Sequence, residues 1–260
     1  MGCSFDKKGL DVTIPKYLQV LCLNEKAYTA YKTLKLEPRA LAEDEILLEG
    51  FVVSEELASY LREFDPDARF ITSVGVRNAL DEKAKQGFNK VTLLVNSPGG
   101  AFFEAAVIVN TISQWAGDID TVVTGLAASS AALITMSTRN VSVGPLSMLM
   151  IHKGWVDTAG NADELRAEAD VLDKLDSRQA AMVSLRTGLT SEEAMDLIRA
   201  ATWYTGPEAV EAGLAQEVIE LKQVKKDKKG EIDNDLASLL MVADRSVAHM
   251  RNRLAAMRGE

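Results

Sequence analysis

The stretch Val91-Thr-Leu-Leu-Val95, broken at once by Asn96-Ser-Pro-Gly-Gly100 and followed by an apolar helical stripe, constrains the fold of this chain more than any other feature. An almost unbroken apolar run with β-branched ends reads as a strand buried on both faces. Pro98 and the two glycines stop it. Ala105, Ile108, Val109, Ile112 and Trp115 then fall on one helical face, and Gly117 ends the segment. The same alternation recurs along the centre of the chain. Ile46 to Val53 reads as a strand, and Ser54 with Glu55 and Glu56 starts a helix. A second helix runs to Gly87, which suits the position after a helix end. Thr121 to Thr124 is a further strand, with Gly125 and a small-residue helix behind it. Arg139 to Val143 and Ser147 to Ile151 are strands around the turn Gly144-Pro145. A long helix covers about Ala162 to Arg186, and capping boxes pair Thr190 with Glu193 and Thr205 with Glu208. Strands alternating with helices of this length predict βαβ units and an α/β fold with a mostly parallel sheet.

The ends differ from the centre. Residues 1–43 mix short apolar runs with charge and are expected to form an extension with little structure of its own. Residues 222–234 are a charged run, and Leu236 to Met257 carries apolar residues at helical spacing, which predicts a C-terminal amphipathic helix. The expected organisation is therefore an extension over 1–43, an α/β domain over 44–221, and a charged linker with an amphipathic helix over 222–260.

Composition narrows the function classes. Hydrophobic residues make up 47% of the 260 residues, enough to bury a sizeable core. A net charge of −9 argues against a nucleic-acid or anionic-membrane surface. Cys3 and Cys22 are the two cysteines; they make no disulfide framework and read as reduced thiols. The longest apolar stretch, Leu126 to Met136, is interrupted by Ser129, Ser130 and Thr135 and is too short to span a bilayer. No apolar targeting segment follows Met1, so a cytoplasmic protein is expected.

Two strand-to-helix junctions hold residues suited to chemistry. In Ser97-Pro98-Gly99-Gly100 the glycines permit positive φ and bring bare N–H groups to a helix start. In Gly125-Leu-Ala-Ala-Ser129-Ser130-Ala-Ala132, Ser129 lies in the first turn of a helix that follows a strand. Its mechanics resemble a nucleophile elbow, without the Gly-x-Ser-x-Gly spacing. Were the junctions adjacent, N–H groups of Ser130 and of Gly99 or Gly100 would form an oxyanion hole. Each piece alone has a plain structural alternative in close packing. Of the two histidines, His249 falls in the charged C-terminal helix and reads as a surface residue. His152 ends the apolar strand Met148 to Ile151, where α/β folds collect catalytic groups. No residue pattern calls for a metal or a cofactor.

Four segments, Asn96-Ser-Pro-Gly-Gly100, Gly125-Leu-Ala-Ala-Ser129, Met150-Ile-His152 and Pro207-Glu-Ala-Val-Glu-Ala-Gly-Leu214, resemble in order and approximate spacing the proteolytic subunit of Clp protease. The resemblance covers roughly residues 45–220. Ala128-Ser-Ser-Ala131 and Thr202-Trp-Tyr-Thr205 are similar to the bacteriophage and prophage branch, which includes head-maturation proteases. The resemblance implies a crotonase-like spiral of ββα units with a protruding handle helix from about Ala162. It implies a serine endopeptidase with Ser129 as nucleophile, His152 as base, and Gly99, Gly100 and Ser130 as oxyanion-hole candidates. It further implies polypeptide substrates, a ring-shaped homo-oligomer, and either an ATP-dependent unfoldase or phage capsid proteins as partners. The setting would be the host cytoplasm or the procapsid if the chain is phage-encoded.

One departure stands out. The family's acidic triad member falls near Ala201, within Ala200-Ala201. Asp196 is the nearest carboxylate in sequence, and Asp170, Asp173 and Asp176 lie on the long helix. A backbone carbonyl, the Thr202 hydroxyl or a water are further acceptors, and the third member stays open. A Ser-Lys dyad through Lys153 is disfavoured, because neighbours in extended chain point to opposite sides and His152 already faces one of them. The competing functions are an inactive scaffold or assembly protein, which the missing acid favours, and a crotonase-fold acyl-CoA enzyme.

Overall fold

The computed structural model describes residues 41–219. The charged run 222–234, the helix expected over Leu236 to Met257, His249 and both cysteines lie outside the described residues, as does the expected N-terminal extension apart from residues 41–43. Nine strands are described: β1 (Glu45–Glu49), β2 (Phe51–Val52), β3 (Phe70–Ile71), β4 (Lys90–Ser97), β5 (Asp118–Ala128), β6 (Asn140–Val143), β7 (Met148–Met150), β8 (Trp203–Thr205) and β9 (Glu217–Val218). Between them lie helices α1 (Glu55–Arg62), α2 (Ser73–Lys85), α3 (Phe102–Gln114), α4 (Ser130–Met136), α5 (Ala162–Thr187), α6 (Ser191–Arg199) and α7 (Gly206–Glu211).

The main sheet runs β1-β4-β5-β6-β9, with every neighbouring pair parallel. The mostly parallel α/β architecture expected from the alternating pattern is what the chain adopts. β4 lies between two parallel partners, and Val91, Leu93 and Val95 are each at most 1% exposed, which is why its sequence is apolar on both faces. Val123, Val141 and Leu149 from the strands and Ala131 and Ile134 from α4 continue this core.

Local chemistry sets the helix boundaries where the sequence placed them. The Ser54 hydroxyl accepts from Leu57 N at the start of α1. Both capping boxes form, Thr190 with Glu193 and Thr205 with Glu208. Helix α5 starts on a third box, Asn161 with Glu164, and ends at Gly188 with φ 78°.

Two details differ from the sequence reading, and the pairing of β6 and β7 adds to it. The strand expected over Ile46 to Val53 is split at Gly50 into β1 and β2, and β2 leaves the main sheet to pair with β3. β6 and β7 each run parallel to β5, along different stretches of it: β6 pairs with Asp120–Val123 and β7 with Leu126–Ala128. The segment Gly125 to Ala128, expected to open a helix, is the last part of β5, and the helix begins only at Ser130.

The physical reason for the last difference is a bulge. The β4–β5 register runs Val95↔Val123 and then Ser97↔Ala127, so β5 carries two extra residues at that point. The Asn96 carboxamide spans the gap, its Oδ1 accepting from Leu126 N at 3.2 Å. Thr124 Oγ1 donates to Val95 O at 3.2 Å from the other side. Bulges bend a strand and re-aim the residues beyond them. Here the strand turns away from β6 and continues beside β7, carrying Ser129 toward the end of β7.

Candidate active site

Ser129 sits between β5 and α4 with φ 56° and ψ −125°. Only Ser129 and Ala201 have positive φ among the described non-glycine residues. Such a conformation costs on the order of 1–3 kcal/mol and persists only where the surroundings hold it. The hold is visible: Ser129 N donates to Met150 O at 2.8 Å, and Ser129 O accepts from Ala132 N at 3.0 Å. The turn between strand and helix thrusts the hydroxyl outward, as an elbow does.

β7 supplies the second group. Ile151 N donates to Thr202 O at 3.0 Å, extending the antiparallel β7–β8 pairing to the last residue before His152. His152 Nε2 lies 2.7 Å from Ser129 Oγ, within hydrogen-bond range. The ring is half-buried. Desolvation by burial lowers its pKa below the ordinary 6.5, opposed by the negative charge of Asp176. A neutral imidazole at neutral pH, able to accept a proton from a serine hydroxyl, is the result.

The glycine junction packs against this elbow. A methyl group on Gly99 (φ 91°) would lie 2.5 Å from Ala128 O and 2.8 Å from Ser129 Cβ. One on Gly100 (φ 149°) would lie 2.1 Å from Val52 O. Both positions therefore exclude side chains by conformation and by space. Val52 N donates to Gly99 O at 2.9 Å and Ala101 N to Val52 O at 2.8 Å, tying the junction to β2. Gly99 N–H itself donates to Ser97 Oγ at 3.1 Å. The N–H of Ser130, in the first turn of α4, precedes the residues that find acceptors within the helix.

The other residues singled out in the sequence scatter. Ala201 has φ 51° and lies just before Thr202, opposite the end of β7, so the chain does bring this position to the histidine's neighbourhood, with a methyl group there. The Thr202 hydroxyl donates to Leu197 O at 2.7 Å. Asp196 is exposed and pairs with Arg199 at 2.8 Å. Asp170 and Asp173 are exposed on α5. Asp176 is buried, and its Oδ1 accepts from Gly154 N at 2.7 Å. Lys153 reaches toward α5, with Nζ 3.0 Å from Asp176 Oδ2 and 3.5 Å from Asp173 Oδ1. Asn96 and Ser97, which shape the two junctions, were legible only as a strand-breaking segment. Among the described residues no group of three His, Cys, Asp or Glu side chains converges to hold a metal ion.

A parallel α/β sheet whose adjacent strand ends bring a serine elbow, a glycine turn and a histidine together defines a hydrolase-like arrangement. Residues 78–222, more than half of the chain, match the Clp protease family. The chain belongs to that family, a family of peptidases. The proteolytic subunit 2 of ATP-dependent Clp protease from Tropheryma whipplei is 29% identical over 130 residues, 49% of this chain and 72% of that protein. Subunit 1 from Corynebacterium glutamicum is 27% identical over 202 residues, 76% of this chain and 90% of the relative. Among solved structures, a ClpP1 variant from Listeria monocytogenes superimposes with a TM-score of 0.55 at 22% identity, covering 69% of this chain and 92% of that one. That likeness bears on the fold, which is the Clp-type, crotonase-like one. No helix among the described residues is long and apolar enough to cross a membrane.

Proposed function

We propose that this chain is a serine-type endopeptidase in which Ser129 is the nucleophile and His152 its general base. The observation that carries the reading is the 2.7 Å contact between Ser129 Oγ and His152 Nε2, made by a serine held at φ 56°. Ser129 Oγ attacks the peptide carbonyl as its proton passes to Nε2. The imidazolium then protonates the departing amine, and water hydrolyses the acyl ester on Ser129 with the same histidine as base. The oxyanion forms beside the Ser130 N–H and the glycine turn. Gly99 N–H is already given to Ser97 Oγ, so Gly100 is the better second donor of the two.

Labelling with a fluorophosphonate probe tests this. The Ser129 oxygen displaces fluoride from phosphorus, and the adduct maps to Ser129 by mass spectrometry. Labelling is expected in the wild type, absent in Ser129→Ala and strongly reduced in His152→Ala. An unlabelled, folded wild type would favour the second reading, an inactive scaffold or assembly protein, which the methyl of Ala201 opposite the end of β7 supports. An acyl-CoA enzyme leaves the Ser129–His152 pair without a task.

The assembly belongs to the same proposal. The relatives are named as subunits of an ATP-dependent protease, and the exposed first half of α5 offers Leu165 and Val171, at 42% and 41% exposure, to another copy. A ring-shaped homo-oligomer with α5 as its handle, fed by an ATP-dependent unfoldase, is the assembly we propose. Capsid proteins as partners and a procapsid setting rest on the two phage-like segments alone. Light scattering on the full chain distinguishes ring from protomer.

A further inference from the structure

We propose that Asp176 is the positioning carboxylate of His152, acting from α5 through the segment Lys153-Gly154 in place of an acid at position 201. The inference rests on the reading of Ser129 and His152 as nucleophile and base. Helix α5 carries six acidic residues, Asp163, Glu164, Glu168, Asp170, Asp173 and Asp176, and Asp176 alone among them is buried, at 1% exposure. An ionised carboxylate is expensive to bury without partners. Its partners are the two residues that directly follow the histidine. Asp176 Oδ1 accepts from Gly154 N at 2.7 Å, and Lys153 Nζ lies 3.0 Å from Oδ2. Gln179 Nε2, one turn further along α5, donates to Oδ1 at 3.4 Å.

The arrangement fixes the backbone on the far side of His152. On the near side, Ile151 N is bonded to Thr202 O. His152 is thus held between a strand pair and a carboxylate-anchored turn. Lys153 Nζ, 3.0 Å from Oδ2, partly offsets the charge of the buried carboxylate from the other side. The charge also acts through space: Asp176 raises the affinity of His152 for a proton against the effect of burial. Charged groups on the elements around the ring are Lys153 beside it and Asp176 and Asp173 on α5, whereas Ala201 and Thr202 on the β8 side are uncharged. A negative charge so placed stabilises the imidazolium that forms as Ser129 attacks, which is the task a triad acid performs.

The test is the rate of Ser129 phosphonylation by a fluorophosphonate across pH, on the full chain. In Asp176→Asn the side chain still accepts from Gly154 N, so the turn is preserved while the charge is removed. The rate is expected to fall on the order of 10²-fold, because the charge that stabilises the developing imidazolium is gone while the turn is kept, and the acidic inflection is expected to move to lower pH. Lys153→Met removes the competing cation and is expected to move the inflection the opposite way. A folded Asp176→Asn with the wild-type rate and inflection overturns the proposal. If Asp176→Asn does not fold, an unmoved inflection in Lys153→Met overturns it instead. An unlabelled wild type overturns the nucleophile reading itself, and is told apart because it needs no variant.

Discussion

Two strand ends meet at the candidate site and solve one steric problem with different residues. At the end of β4 the chain takes positive φ on Gly99 and Gly100, where no side chain resists it. At the end of β5 it takes positive φ on Ser129, where a side chain does. The first is a low-cost turn that any close approach of backbone requires. The second holds a conformation that costs on the order of 1–3 kcal/mol, and the hydroxyl it aims lies against His152. Strain placed on a residue with chemistry in it, beside a turn where glycine could have carried it, is what separates a site from a fold feature.

Substitutions that exchange the two solutions break or sharpen that contrast. The largest effect is expected from Ser129→Ala, which keeps the backbone and removes the proposed nucleophile. Peptidase kcat/KM should fall by on the order of 10⁶, as for other enzymes stripped of a catalytic serine, with the thermal midpoint close to wild type. A midpoint several degrees lower would mean that the hydroxyl is there for stability. Gly100→Ala comes next. Its methyl meets Val52 O at 2.1 Å, and with φ 149° the loss should exceed about 2 kcal/mol. Calorimetry should show a midpoint lower by at least ~4 °C, at roughly 2–4 °C per kcal/mol for a chain of this size.

Smaller effects sharpen the comparison further. Asn96→Ala removes the acceptor for Leu126 N that holds the β5 bulge. About 1 kcal/mol of stability and a disproportionate fall in kcat are expected, because the bulge aims Ser129; equal losses in kcat and stability would reduce it to a fold feature. Ser129→Gly should be inactive yet leave the midpoint unchanged or raised, since glycine relieves the strain. A clear drop would show that the φ of 56° is not under strain.

Acidification gives the smallest signal. Burial lowers the His152 pKa in the folded protein, so between that value and the unfolded 6.5 the unfolded chain binds more protons. Stability is therefore full above pH 6.5 and falls as pH drops through 6.5 toward the folded pKa. Chemical denaturation should show this decline in wild type and a shallower one in His152→Gln. Activity should keep a working base to pH values below 6.5.

Much of the architecture was legible along the chain. The apolar run Val91 to Val95 announced a central strand because burial on both faces leaves no polar alternation. Capping residues announced helix starts because their bonds are local: Ser54, Thr190 and Thr205 each reach only three residues ahead. Of the site, Ser129, His152 and the two glycines were legible as candidates. That they meet was implied only by the family resemblance and not by the local residue chemistry, because the meeting depends on a bulge in β5 and on β7 pairing with its far end. The split at Gly50 was hidden for the same reason: a run of apolar residues does not say to which sheet its second half belongs. Asp176 was one of several acids on a helix, and its sequence context does not distinguish it from Asp170 or Asp173.

What the sequence by itself determined is the set of elements and the residue types at their ends, since propensity, capping and turn chemistry act within a few residues. What only the tertiary structure decided is which of those ends converge. Ser129 and His152 are 23 residues apart in sequence and 2.7 Å apart in space, and Asp176 joins His152's loop from a different helix. Contacts of that kind are set by strand register and by burial, which belong to the folded chain as a whole.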